Sequence, residues 1–140
     1  MASSIIHICV ANEINKSLKR NSRELLIGTI APDISKLLGE SKLYSHFLDD
    51  IDNNIPNINK FLIKYKNNLD DDFVLGYYIH LYTDYLWFKY FITKIIDGNY
   101  LKELDGTFIK CNNDTFTYYV YNDYSNLNKQ LLDKYNFPLK

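Results

Sequence analysis

Apolar residues recur every four positions at Ile6, Val10, Ile14 and Leu18. That spacing predicts a first helix, capped by Ser3 or Ser4 and running to about Arg20. Asn21 followed by Glu24 is a capping pair that predicts a short second helix over 22–30. Ala31-Pro32-Asp33 should end it, because a residue before proline avoids helical geometry. Residues 39–55 are polar and lack a helical period, so they read mostly as loop, with His46 inside. Pro56 suits the first turn of a third helix reaching about Lys66. Asp70, Asp71 and Asp72 then stand where a helix start favours negative charge. The longest helix is predicted from there to about Ile96, stopped by Asp97-Gly98-Asn99. Asp105-Gly106, flanked by short apolar pieces, predicts a small hairpin within 104–113. Asp114 should cap a final helix over 115–135, with a break near 123–126. The expected fold class is all-α: one compact multi-helix domain over residues 1–140 with a long central helix.

Composition narrows the function classes. The 140 residues suffice for one real core, and the formal net charge is -1, so no global basic field draws in nucleic acid or an anionic membrane. Anionic substrates must be held by a local site. Two cysteines, Cys9 and Cys111, lack C-x-x-C spacing and read as unpaired thiols. Residues 1–22 lack a basic stretch before their apolar positions, which argues against a signal peptide and for a cytoplasmic protein. Residues 73–96 are the most hydrophobic stretch, but His80, Asp84, Lys89 and Lys94 interrupt it, so no transmembrane segment is expected. The 13 tyrosines accompany abundant Asn, Lys and Ile, and most of them read as a compositional habit. The abrupt end after Phe137-Pro138 is compatible with a C-terminally truncated fragment.

The candidate chemistry lies in three histidines, His7, His46 and His80. His80 and Asp84 are four apart on the long helix, so they share a face and can reach one metal ion. A mutual hydrogen bond, or one to a tyrosine, would account for that pair equally well. Their neighbours, Tyr77, Tyr78, Ile79, Leu81 and Trp87, are large and apolar, and a lone buried carboxylate there would be costly. Gly76, one turn earlier, leaves room for a ligand or another helix. His7 sits on the first helix with small Ala11 one turn later. Two histidines on different buried helix faces, with a third beside acids, favour a shared ion.

These residues carry a resemblance. His7-Ile-Cys-Val-Ala11, then Gly28-Thr-Ile-Ala-Pro-Asp33, then Ser45-His46-Phe47, then Gly76-x-x-x-His80-x-x-x-Asp84, in that order, resemble the zinc-dependent phospholipase C family, whose fold is shared with the S1/P1-type nucleases. The match covers about the first two thirds of the chain, to Trp87. The resemblance implies that Asp33, His46, His80 and Asp84 hold one zinc. It implies that His7 and Asp84 form part of a second site, with Asp84 bridging, and that Asp33 is the catalytic base or water-orienter. The chain departs from the family in two ways. It begins Met1-Ala2-Ser3 where secreted members have an amino-terminal tryptophan ligand, and no histidine follows His80, so a trinuclear site is not possible. One zinc is expected, with room for a second.

The resulting expectation is a zinc-dependent hydrolase of a small-molecule or lipid phosphodiester, with no stable nucleic-acid partner. Tyr77 could line its cleft, although core packing explains that residue as well. The alternatives are an S1/P1-like nuclease, or a non-catalytic helical protein with a structural metal site.

Overall fold

The structure, a computed structural model, describes residues 2–135. The expectation built on the last residues of the chain lies outside them. Helix α1 (Ser4–Leu18) starts at Ser3, whose hydroxyl accepts from the Ile6 amide, and stops at Lys19 in the left-handed conformation. Its buried face keeps only the start of the apolar stripe read from the sequence, where Ile6 is buried and Val10 packs against the core. Ile14 and Leu18 are exposed, whereas His7, Ala11 and Asn15 point inward. Small and polar groups on this face let the neighbouring helices approach closely.

Helix α2 (Ser22–Leu37) is capped by Asn21, as its sequence predicts, but it does not stop at Pro32. Pro32 is buried inside it, and Asp33 lies on a continuing turn. Proline removes one donor from the helical ladder, a penalty of about 3 kcal/mol. Packing of α2 along the central helix outweighs that loss. The supposed loop also contains order: α3 (Lys42–Ser45) is a single turn started by Ser41, and His46 caps its end. Helix α4 (Ile58–Tyr65) begins at Asn57, just after buried Pro56.

The central helix α5 (Asp72–Leu86) starts where the acidic run places it, with Asp71 accepting from the Phe73 and Val74 amides. It continues into a π-helical turn at Trp87–Ile92 and a last turn, α6 (Thr93–Ile95). A three-stranded antiparallel sheet follows: β1 (Ile96–Asp97), β2 (Tyr100–Lys102) and β3 (Phe108–Lys110). The predicted hairpin is its β2–β3 half, with Gly106 in the turn at φ +87°. Helix α7 (Asn113–Tyr135) runs unbroken through 123–126, and its 23 residues exceed those of α5. Asn112, not Asp114, caps it, accepting from the Thr115 amide. The expected break fails because the Asp and Asn residues there point into solvent, where they need not compete for the backbone.

The core is the seam between α2 and α5, with α1 laid against both. Ala11, Leu25 and Ile79 form its apolar centre. Two glycines set the spacing. A Cβ on Gly28 would stand 2.0 Å from the Phe73 carbonyl oxygen, and one on Gly76 would stand 2.0 Å from that of Leu25. Only backbone without side chains fits there, so α2 and α5 touch main chain to main chain. Cys9 and Cys111 are buried and unpaired. No helix among the described residues is long and apolar enough to cross a membrane.

Candidate metal centre

The close α2–α5 contact places the Thr29 carbonyl 2.7 Å from Nδ1 of His80. A carbonyl only accepts, so a neutral His80 carries its hydrogen on Nδ1 and turns the lone pair of Nε2 toward the interior. There Nε2 of His80 meets Nε2 of His46 at 3.3 Å, and the His7 ring stacks on that of His80 at 3.7 Å between centroids. His7, His46, His80 and Asp84 are completely buried, while the Asp33 side chain is 14% exposed. The five residues singled out in the sequence thus come from α1, α2, the end of α3 and α5 to one point.

The distances suit a small cation. Asp33 Oδ1 lies 3.4 Å from Nε2 of His46 and 3.9 Å from Nε2 of His80. Asp84 Oδ2 lies 3.8 Å and 3.6 Å from the same two nitrogens. Ligands about 2.1 Å from a tetrahedral ion are separated by roughly 3.4 Å, close to all these values. The other carboxylate oxygen of Asp84 lies 3.3 Å from Nε2 of His7 and accepts from the Ala2 amide at 3.1 Å. His7, His46, His80 and Asp84 could therefore hold a metal ion, with Asp33 completing the group on the cleft side.

Unsatisfied atoms point the same way. Asp84 Oδ2, Asp33 Oδ1 and both ring nitrogens of His7 are buried without a hydrogen-bond partner. Such groups are costly unless something satisfies them. Burial pushes the His7 and His46 imidazoles down, so they favour the neutral form that can bind a cation. Burial alone would push the Asp84 carboxyl up, but its contacts with His7 and His80 hold it well below the usual carboxylate range. His7 and His46 therefore offer neutral nitrogens and Asp84 ionised oxygens, donors of the kind a divalent cation requires.

Asp33 is also the opening. It lines a cleft of about 320 Å³ with Ser4, Lys36, Tyr121, Tyr124 and Asn128. A larger groove of about 500 Å³ lies elsewhere, walled by Phe47, Phe61, Tyr65 and Tyr77. Tyr77 belongs to that groove and not to the cleft: its ring stacks on Phe61 and its hydroxyl donates to the Ser45 carbonyl. Sequence reasoning missed Thr29, Ser45 and Lys36. Thr29 acts through its backbone, which leaves no side-chain signal. Ser45 was visible only as the neighbour of His46, to whose Nδ1 it bonds at 2.9 Å. Compared with family models, with curated proteins and with solved structures, the chain finds no match.

Proposed function

We propose that this protein is a zinc-dependent, phospholipase C-like hydrolase of phosphodiesters, with His7, Asp33, His46, His80 and Asp84 as its metal centre. The observation that carries the reading is the convergence of five remote side chains, two of whose buried carboxylate oxygens lack any other partner. Bound zinc supplies a Lewis acid for a phosphoryl oxygen and acidifies a coordinated water. Asp33, Asp84, His46 and His80 would hold one ion, and His7 with the second oxygen of Asp84 would offer a place for another.

Asp33 alone of the five reaches the cleft, which suits it to orient the water or take its proton. Lys36 lies three residues further along α2 on the same cleft wall and would draw in an anionic substrate. Tyr121 and Tyr124 form the opposite wall and would pack against an apolar or planar substituent.

Complete burial of the other four ligands also favours a second reading, a closed structural metal site without catalysis. The test combines elemental analysis of the purified chain with hydrolysis of a choline phospholipid, a small aryl phosphodiester and single-stranded DNA, each with added zinc. We expect stoichiometric zinc, turnover of at least one phosphodiester, and loss of zinc in Asp84→Asn. Stoichiometric zinc without turnover would leave the structural reading. Unchanged zinc in Asp84→Asn would refute the bridging role.

A further inference from the structure

Ser45 ends α3 and is 2% exposed. Its carbonyl is held by the Tyr77 hydroxyl and its own hydroxyl meets Nδ1 of His46. The groups facing the other ring nitrogen of His46 are all acceptors. They are the lone pair of His80 Nε2 at 3.3 Å, Asp33 Oδ1 at 3.4 Å and Asp84 Oδ2 at 3.8 Å. Without a cation, a neutral His46 therefore keeps its hydrogen on Nε2, and Nδ1 accepts from Ser45. With a cation, Nε2 must present its lone pair, so the hydrogen sits on Nδ1 and the serine oxygen must accept it.

We propose that Ser45 is a positioning residue that lets His46 change tautomer on cation binding, its hydroxyl serving as donor in the metal-free centre and as acceptor in the loaded one. The inference rests on the metal-centre reading above. The proton balance closes within the ring: Nε2 gives one proton to solvent, Nδ1 takes one up, and no net proton is released at this residue. An alanine can serve neither state, while threonine keeps the hydroxyl.

The experiment uses the full chain labelled with ¹⁵N, at pH 8, well above the ordinary imidazole pKa of about 6.5. Long-range proton–nitrogen correlation spectra of the histidine rings are recorded before and after one equivalent of zinc. We expect His46 to carry its hydrogen on Nε2 without zinc and on Nδ1 with it. We expect Ser45→Ala to weaken zinc binding, measured by chelator competition, by about 10–100-fold, and Ser45→Thr to restore most of it. One tautomer in both states, an imidazolium in the metal-free protein, or an alanine variant that binds zinc as tightly as the parent would overturn the switch. Absence of zinc binding in the parent protein would sink the metal-centre reading, and the switch with it. Bound zinc with an unmoved hydrogen would sink the switch alone.

Discussion

Gly76→Ala tests whether the α2–α5 contact builds the centre. In an exposed helix this change stabilises by about 1 kcal/mol, because alanine is the better helix former. Here the new methyl would lie 2.0 Å from the Leu25 carbonyl oxygen and 2.9 Å from the Thr29 nitrogen. Ordinary contact is about 3.5 Å, so the helices must part by roughly 1.5 Å, and both obstructing atoms are backbone. Overpacking of this kind costs about 1–3 kcal/mol. His80 sits one turn further on the same face, with its Nδ1 held 2.7 Å from the Thr29 carbonyl. A retreat of that size breaks the bond and leaves a buried donor unsatisfied, a further loss of about 1–3 kcal/mol. Set against the propensity gain, the net expectation is a destabilisation of about 1–5 kcal/mol. Urea unfolding followed by far-ultraviolet circular dichroism measures it. Zinc competition on the same samples should show weakened binding as His80 loses its orientation. Gly28→Ala should behave alike, since its methyl would strike the Phe73 carbonyl oxygen at the same distance. A Gly76→Ala protein as stable as the parent, or more so, would refute the close contact and the account of His80 built on it.

Three further outcomes follow from the centre. Asp33→Asn should keep a folded protein and lower phosphodiester turnover by at least about 100-fold, as loss of a general base does; undiminished turnover would remove Asp33 from the chemistry. Stability without metal should fall as pH drops below about 6.5, because His7 and His46, pushed down by burial, refuse protons that the unfolded chain accepts. The unfolded state then binds more protons, so each such histidine contributes up to about 1.4 kcal/mol of loss per pH unit, and Asp84 adds to the loss in more acid solution; urea midpoints that stay flat from pH 8 to pH 5 would contradict this. Saturating zinc should raise the melting temperature in a concentration-dependent way, with about 2.7 kcal/mol gained at a hundred times the dissociation constant; a scan unmoved by zinc would deny a site specific to the folded chain.

Much of the centre was legible because helical periodicity converts spacing into geometry. His80 and Asp84, four apart, had to share a face, and Gly76 one turn before His80 marked a place where another helix could come near. The capping signals at Ser3, Asn21 and Asp71 likewise act within a few residues, so local reading finds them. What failed depended on distant contacts. Pro32 reads locally as a terminator, yet packing on α5 carries α2 through it and sets Asp33 on a helical turn. The stripe Ile6–Val10–Ile14–Leu18 faces inward only at Ile6 and Val10, because further along α1 the neighbouring surface takes Ala11 and Asn15 and leaves Ile14 and Leu18 exposed. His46 does lie in a turn within a stretch that is mostly loop, and only the four-residue helix before it, too short to leave a period, went unread. The π-helical turn after Leu86 has no sequence signal we can name.

Helix α7 has no buried residue among those described, and it is tied to the rest of the chain through Ser3 to Asn128 at 2.5 Å and Trp87 to Tyr124 at 2.8 Å. Its side chains nonetheless make one whole wall of the cleft over Asp33. Amide exchange should therefore run fastest in this helix and slowest along the glycine seam, so the molecule opens in parts. The consequence is a division of labour: the candidate ligand atoms sit on α1, α2, the end of α3 and α5, while α7 walls the entrance, so a substitution on α7 would reshape the cleft without touching those atoms.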